Sequence, residues 1–250
     1  MTPDVSFSID GTATADALVV GLPHLGMASL TAVDHLVRTR EAAPVGHVAA
    51  HDVPAVAPFE EGRPRHHTRV YDLADLDLAV LVGELFVPVW AADAFVRAVA
   101  EWCGETGVEE VAVLHGVPYP HGEEDHAVFT VADEAVRESR LAGTGLDPLP
   151  GGFLDGVPGE LLTRSMEGEG PATGVYVTPT HPPGPDMEAA IRLLSAVETV
   201  YGVDVDLAAL EAEAAERERQ FAELASRMEQ LREAEEGLGS RDYPEDRMYM

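Results

Sequence analysis

Residues 115–126, which read His-Gly-Val-Pro-Tyr-Pro-His-Gly-Glu-Glu-Asp-His, contain the densest group of side chains that could do chemistry. Imidazoles and carboxylates are the ligands that bind zinc or another divalent cation. The stretch follows the apolar run 111–114, and α/β proteins often place their sites at strand ends. Its spacing, however, matches no established ligand motif such as His-Glu-x-x-His. We therefore interpret residues 115–126 as a polar surface loop, with a metal site as the alternative.

Three further places have reactive side chains but suit structural roles better. Residues 65–69 place two histidines between two arginines, which favours a solvated strand end with balanced charge over a phosphate site. In residues 178–181 a hydroxyl stands beside His181, but adjacent side chains of an extended segment point to opposite faces. Cys103 lies near the end of a predicted helix and is typical of a small core residue. We predict no catalytic, cofactor-binding or metal-binding residues.

The charge of the chain is extreme. Its 250 residues include 45 acidic and 16 basic side chains, a net charge of −29, and every basic residue is arginine. Nucleic acid is excluded as an expected partner, because binding it requires basic patches that neutralise phosphates. Without lysine there is neither a P-loop ATPase site nor Schiff-base chemistry. The composition is typical of a protein from a high-salt cytoplasm; a GC-rich genome, which favours Arg over Lys, is the alternative.

Cysteine usage and hydropathy point to the same compartment. Cys103 is the single cysteine, so no internal disulfide can form. No apolar run reaches the length of a membrane span, and the first residues lack a secretory signal pattern. We expect a cytoplasmic protein without a membrane partner.

Residues 1–205 alternate strand-like and helix-like segments, which predicts an α/β core domain with a mixed, largely parallel sheet flanked by helices. Short apolar runs are typical of covered strands. Apolar residues at steps of three and four predict amphipathic helices. The principal strands are expected at 5–9, 17–20, 45–49, 69–71, 78–82, 111–114, 128–131 and 173–177, and the helices at 27–38, 91–103 and 186–201.

The last part of the chain has a different pattern. Residues 206–236 contain no Gly or Pro and predict a long helix whose seam runs from Leu207 to Leu231 at heptad-like spacing. Such a helix either packs on its own domain or forms a coiled coil between subunits. Gly237 and Gly239 should end it, and Pro244 should prevent its resumption. Residues 237–250 are then expected to form a flexible tail.

The tail ends in Met248-Tyr249-Met250, a group suited to docking in a pocket of another protein. A terminal carboxylate can be captured by a basic group or by backbone amides. Tyr249 combines a flat apolar ring with a polar tip, so it can be buried and hydrogen-bonded at once. Met248 adds adaptable apolar contact. This hydrophobic–Tyr–any-residue ending is similar to the one with which proteins engage the 20S proteasome.

Several loose motifs occur together in an order that resembles the proteasome-assembly-chaperone family, in its archaeal branch. They are a Gly-x-Pro-x-x-Gly loop before a helix, an apolar strand ending in Gly-Glu, a Gly-rich loop before a short helix, and an alanine-rich helix followed by Gly-Val-Asp-Val-Asp. These stand at residues 21–30, 78–84, 151–162 and 186–207. His24 departs from the pattern, which favours a small residue there.

The resemblance implies an α/β fold without known catalytic residues, self-assembly into a homo-oligomer, and binding to 20S proteasome α-subunits through Met248, Tyr249 and Met250. A paralogue of the chain is a further candidate partner. The sequence thus predicts an ATP-independent proteasome-binding chaperone or adaptor that aids assembly or gate opening. Two alternatives stay open: an α/β enzyme that processes a nucleoside or other small ligand, through residues 66–69 or 115–126, and a structural oligomer without proteasome contact.

Overall fold

The computed structural model describes residues 5–119, 122, 125–181, 184–216 and 219. Within them the chain forms ten strands. They are β1 (Ser6–Gly11), β2 (Ala17–Gly21), β3 (Ala42–His51), β4 (Phe59–Glu60), β5 (Arg63–Pro64), β6 (Thr68–Leu73), β7 (Leu78–Gly83), β8 (Glu110–Val117), β9 (Phe129–Ala132) and β10 (Ala172–Pro179).

Helices lie between many of these strands. They are α1 (Ala28–Thr39), α2 (Ala92–Thr106), α3 (Glu134–Val136, continued by a π-helical turn over Arg137–Leu141), α4 (Gly156–Glu167) and α5 (Met187–Tyr201). A 3-10 turn, Val89–Ala91, leads into α2. The N-cap side chain of Asp186 accepts a hydrogen bond from the Ala189 amide, which fixes the start of α5.

Eight strands form one sheet in the order β1-β3-β6-β7-β2-β8-β10-β9, and β4 and β5 form a separate small hairpin. The central strands β7, β2, β8 and β10 are parallel to one another. The pairs toward both edges are antiparallel. The expected α/β class and mixed sheet are confirmed, but parallel pairing is confined to the centre rather than covering most of the sheet.

Helices cover both faces of the sheet. α1 and α5 pack together on one face, and α2 and α4 pack together on the other. Strand β2 shows the consequence: Leu18 and Val20 join the core under α2, while Val19 joins the core under α1. A strand covered on both faces needs apolar side chains at successive positions, which is why β2 and β7 are continuous apolar runs.

Residues 208–216 and 219 are helical and begin the predicted C-terminal helix. Leu210 is buried, and Leu207 and Ala214 pack against the same core as α1 and α5. The first part of the predicted seam therefore contacts its own domain. The remainder of the helix 206–236 and the tail 237–250 lie outside the described residues. Across the described part of the chain, no helix combines the length and apolarity needed to span a bilayer.

Candidate functional site

The centre of the sheet contains a change in the direction of the chain. β2 and β8 are parallel neighbours, but the chain leaves β2 through α1 toward β3 on one side. From β8 it proceeds to β9 and β10 on the other side. In open α/β sheets, ligands bind in the crevice outside the carboxyl ends of strands at such a point. The topology therefore predicts a ligand site at the carboxyl ends of β2 and β8.

A cavity of about 180 Å³ occupies that place. Its walls come from the loop after β2, the loop after β7, the end of β8 and the start of α4. They are mostly apolar. The lining residues are Leu22, Pro23, His24, Phe86, Val87, Val89, Val113, Leu114, His115, Asp155, Gly156, Val157 and Pro158. We call this space the switch-point cavity.

Glycines position the loop after β2. A Cβ at Gly21 would lie 2.3 Å from Val33 Cγ2 and 2.5 Å from the Ser29 carbonyl oxygen, so only glycine lets α1 approach β2 this closely. Gly26 has φ +78°, in the left-handed region that glycine adopts without strain. The loop is held from the other side by Thr180, whose hydroxyl donates to the Leu25 carbonyl oxygen at 3.2 Å.

His115 is the most perturbed polar group of the cavity. Burial, with a smaller contribution from the neighbouring His24, lowers the pKa of its imidazole from 6.5 to about 4. The ring is therefore neutral near pH 7 and offers one N–H donor and one nitrogen acceptor. No hydrogen bond joins it to another residue in the part of the chain that the structure describes. A neutral imidazole without a polar partner stands in a largely apolar space.

His24 lies beside His115, with ring centroids 4.7 Å apart. Its Nδ1 is 2.7 Å from the Gly116 carbonyl oxygen. Because a carbonyl oxygen can only accept, Nδ1 carries a proton and donates, so Nε2 is the nitrogen of this ring that is left to accept. Asp155 is the N-cap of α4, yet its side chain makes no capping hydrogen bond. The polar groups of the cavity are thus two imidazoles and one carboxylate, without an arginine.

The mouth of the cavity is apolar and exposed. Phe86 and Val89 are 61% and 60% exposed although both line the cavity. Trp90 follows Val89 and is 53% exposed, and Phe153, two residues before Asp155, is fully exposed. The entrance is therefore open to solvent and bordered by Phe86 and Val89.

The interpretation of residues 115–126 as one surface loop is wrong at its start. Strand β8 pairs with β10 in parallel register as far as Val117, so His115 lies within the sheet. Farther along, the His126 ring lies 5.2 Å from the His181 ring. His121, Glu123 and Glu124 lie outside the described residues. Among the described residues no three metal-binding side chains converge.

The arginines around His66 and His67 are matched by carboxylates. Arg65 is 2.8 Å from Glu84 and 3.0 Å from Glu60, and Arg69 is 3.1 Å from Glu84. The two guanidinium groups therefore already have anionic partners. The predicted local charge balance is confirmed, and this observation does not favour the phosphate site.

The hydroxyls of residues 178–181 have structural partners. Thr178 donates to the Ala127 carbonyl oxygen at 2.9 Å, and Thr180 contacts the loop after β2. His181 Nδ1 lies 3.1 Å from an Asp186 carboxylate oxygen. Thr180 and His181 thus each have a partner other than the other. Cys103 is buried in the core as predicted, and burial raises the pKa of its thiol to about 12.

A second polar cluster, which we did not predict from the sequence, lies at the opposite end of β8. Glu110 accepts hydrogen bonds from the Tyr201 hydroxyl at 2.6 Å and from Arg140 Nε at 2.7 Å. It thereby ties β8 to α5 and to the turn after α3. Burial raises the pKa of Tyr201 well above its usual value, so the hydroxyl stays protonated and donates. This arrangement holds these elements together.

The switch-point cavity was not predicted as a unit. Three separate features of the sequence meet in it: the Gly-Leu-Pro-His loop, His115 and the Gly-rich segment before α4. Their meeting depends on the order of the strands in the sheet. The signal that could have found it is that all of these segments follow apolar strands or begin a helix. Met248, Tyr249 and Met250, the predicted docking residues, lie outside the described part of the chain.

The chain is similar to known proteins in both sequence and fold. The sequence model of the PAC2 family matches residues 18–225. The chain shares its fold with PbaA of Pyrococcus furiosus, described as an archaeal homolog of proteasome-assembly chaperone (TM-score 0.79, 21% identity, 95% of this chain and 98% of that chain covered). PbaB of the same organism, described as an archaeal proteasome activator, has the fold too (TM-score 0.75, 20% identity, 88% and 99% covered).

A Thermoplasma acidophilum protein of unknown function is also similar (TM-score 0.71, 20% identity, 89% and 90% covered). No curated protein sequence matches the chain significantly. The chain therefore has the fold of these archaeal proteins. The chain belongs to the PAC2 family, and the resemblance drawn from its sequence motifs is confirmed.

Proposed function

We propose that this protein is an ATP-independent proteasome-binding chaperone or adaptor, which docks Met248-Tyr249-Met250 into pockets between 20S proteasome α-subunits. The observation that carries the proposal is the tripeptide in a PAC2-family chain. The descriptions of PbaA and PbaB as a chaperone homologue and a proteasome activator support it. The lack of lysine separates the chain from ATP-driven proteasome regulators, which need a P-loop.

The chemistry of the tripeptide assigns a role to each residue. Tyr249 fills an apolar pocket and hydrogen-bonds through its hydroxyl, and Met248 adds apolar contact. The carboxylate of Met250 pairs with a basic group of the α-subunits. A homo-oligomer, alone or with a paralogue, would present several tails to one α-ring. Linked weak contacts gain avidity strongly when their geometry matches the ring.

The experiment is a pull-down of 20S particles by the full chain at high salt. We expect removal of residues 248–250, and the single change Tyr249→Ala, to weaken capture by at least about tenfold, as loss of a buried aromatic anchor does. Appending one alanine after Met250 should also abolish capture, because it displaces the carboxylate. Tyr243→Ala, in the same tail but outside the tripeptide, is the matched control and should bind like the wild type.

The same preparations distinguish the two roles within the proposal. Faster peptide hydrolysis by mature 20S particles would identify gate opening, while faster assembly of isolated α-subunits would identify a chaperone. Equal capture by wild type, the truncated chain and the Tyr249→Ala variant would show that the tripeptide does not dock. If neither the wild type nor any variant binds 20S particles, the result would favour a structural oligomer without proteasome contact.

A further inference from the structure

We propose that the switch-point cavity is a binding site for an uncharged, flat heteroaromatic molecule of one or two rings, hydrogen-bonded by His115. This activity is separate from tail docking, since the cavity lies in the core domain and not in the tail.

The position is the one at which the fold leaves a crevice for a ligand. The two neighbouring strands β2 and β8 send their following segments in opposite directions, which separates the loops above them. The cavity opens between those separated loops and is closed below by the ends of the strands. No side chain of the described residues fills it.

Its size and walls suit a flat apolar ring. The volume of about 180 Å³ is slightly larger than the cavity of about 150 Å³ that takes up benzene in an engineered protein. Leu22, Val87, Val113 and Val157 supply aliphatic walls, and Phe86 stands at the mouth. Ligand sites have this composition: mostly apolar, with a few polar groups that fix orientation.

The polar pattern calls for a ligand that both donates and accepts. His115 has a free donor and a free acceptor among the described residues, and His24 retains Nε2 as an acceptor after Nδ1 is used by Gly116. The amide-like edge of a heterocycle carries a donor and an acceptor side by side and can satisfy both imidazoles. A hydrocarbon would leave these partly buried nitrogens without a partner on the ligand.

Charge argues for a neutral ligand. No arginine lines the cavity, and Asp155 is the one charged side chain among the lining residues. An anion would meet this carboxylate without a compensating cation, in a chain of net charge −29. A cation would lose its hydration against apolar walls beside the neutral imidazole of His115.

The test measures binding to the full chain by saturation-transfer NMR and calorimetry in molar KCl. The neutral probes are nicotinamide, uracil and hypoxanthine. Nicotinate, which has the ring of nicotinamide but a negative charge, is the matched ligand control. We expect at least one neutral probe to bind and to shift the imidazole signals of His115. Its affinity should exceed that of any binding by nicotinate at least about tenfold, the factor that about 1.4 kcal/mol provides.

Two variants locate the binding. His115→Phe keeps a ring of similar volume but removes the hydrogen bonds, and it should weaken binding at least about tenfold. Val89→Trp adds bulk at the exposed mouth, where it does not disturb the core, and should block entry. His51→Phe, at the exposed end of β3, is the matched control and should bind like the wild type.

Three results would overturn the proposal. They are no binding by any of the neutral probes, equal binding of nicotinate and nicotinamide, or unchanged binding in both His115→Phe and Val89→Trp. If no probe binds and Val89→Trp instead changes the oligomeric state, the cavity mouth is a protein contact and not a small-ligand site. Tail variants such as Tyr249→Ala should leave probe binding unchanged, so failure here is distinguishable from failure of the docking proposal.

Discussion

His115 shows how one partly buried residue couples the site to the stability of the protein. Its imidazole is neutral in the folded chain because protonation would place a charge in a mostly apolar cavity beside His24. Asp155 acts in the opposite direction, since its carboxylate favours the protonated ring, but burial outweighs it. The folded-state pKa is therefore about 4, below the unfolded value of 6.5.

This difference predicts a loss of stability in weak acid. Below about pH 6.5 the unfolded chain takes up a proton at His115 and the folded chain does not, so the free energy of unfolding falls until about pH 4. The contribution is at most about 3 kcal/mol. His115→Gln should flatten this part of the pH profile, measured by urea denaturation in molar KCl at several pH values.

His51→Gln, which removes an exposed imidazole, serves as the control for the loss of one histidine. The comparison uses the difference between variant and wild type, because carboxylates also titrate in this range. Identical pH profiles for His115→Gln and the wild type would show that the folded chain protonates His115 as readily as the unfolded chain does. An NMR titration of the imidazole signals measures the same pKa directly.

At the scale of elements, the contact between α1 and β2 decides the shape of the cavity wall. α1 crosses β2 so closely that its Val33 side chain and Ser29 carbonyl occupy the space where a Cβ of residue 21 would lie. The same approach fixes where the loop after β2 leaves the sheet, and therefore where Leu22 and His24 stand. Gly21 thus shapes the cavity wall indirectly, by allowing α1 to pack closely on β2.

Gly21→Ala should push α1 away from the sheet and destabilise the protein by about 1–3 kcal/mol, the usual cost of overpacking a tight core. The matched control is Gly104→Ala in α2, where a Cβ meets no atom within 4 Å. That change should stabilise by roughly 0.5–1 kcal/mol, because alanine restricts the unfolded chain and favours helix. Thermal melts should show a lower melting temperature for Gly21→Ala and a higher one for Gly104→Ala. Equal effects of the two changes would contradict the close approach at Gly21.

The elements differ in how far the sequence could predict them. β2 and β7 were predictable because strands covered on both faces must be continuously apolar, and α2 because Phe95, Val99 and Trp102 repeat at helical spacing. The antiparallel edges were not, since neither β1 nor β6 reveals in its own residues which strand it will pair with. The same limit hides the switch-point cavity, which is built by strand order rather than by any local motif.

His115 illustrates the limit within a single element. Read alone, its neighbours Gly116, Pro118 and Pro120 indicate a loop. In the structure β8 continues to Val117, because β10 pairs in parallel with each residue from His115 to Val117. A tertiary contact thus overrides local turn propensity and moves the imidazole from the expected surface loop into the sheet.

At the scale of the whole molecule, the arginines are placed where they offset carboxylates. Arg164 bridges α4 to Asp93 of α2 at 2.6 Å, and Arg140 reaches Glu110 of β8 at 2.7 Å. With 45 acidic and 16 basic residues, such pairs still leave most carboxylates without a cation. The residual charge of −29 repels itself and weakens the compact state in dilute buffer.

Salt should therefore stabilise this protein strongly. At about 1 M the screening length falls to about 3 Å, shorter than most separations between surface charges, so the repulsion largely disappears. If screening relieves about 3 kcal/mol, the melting temperature should rise by roughly 6–12 °C between low salt and molar KCl. Melts in sucrose of equal osmolality are the control, because sucrose does not screen charge. Since screening saturates, the gain should be steepest at the lowest salt and level off near molar KCl. A melting temperature that stays constant over this range would show that the acidic surface imposes no salt requirement. Its composition would then reflect a GC-rich genome rather than a saline cytoplasm.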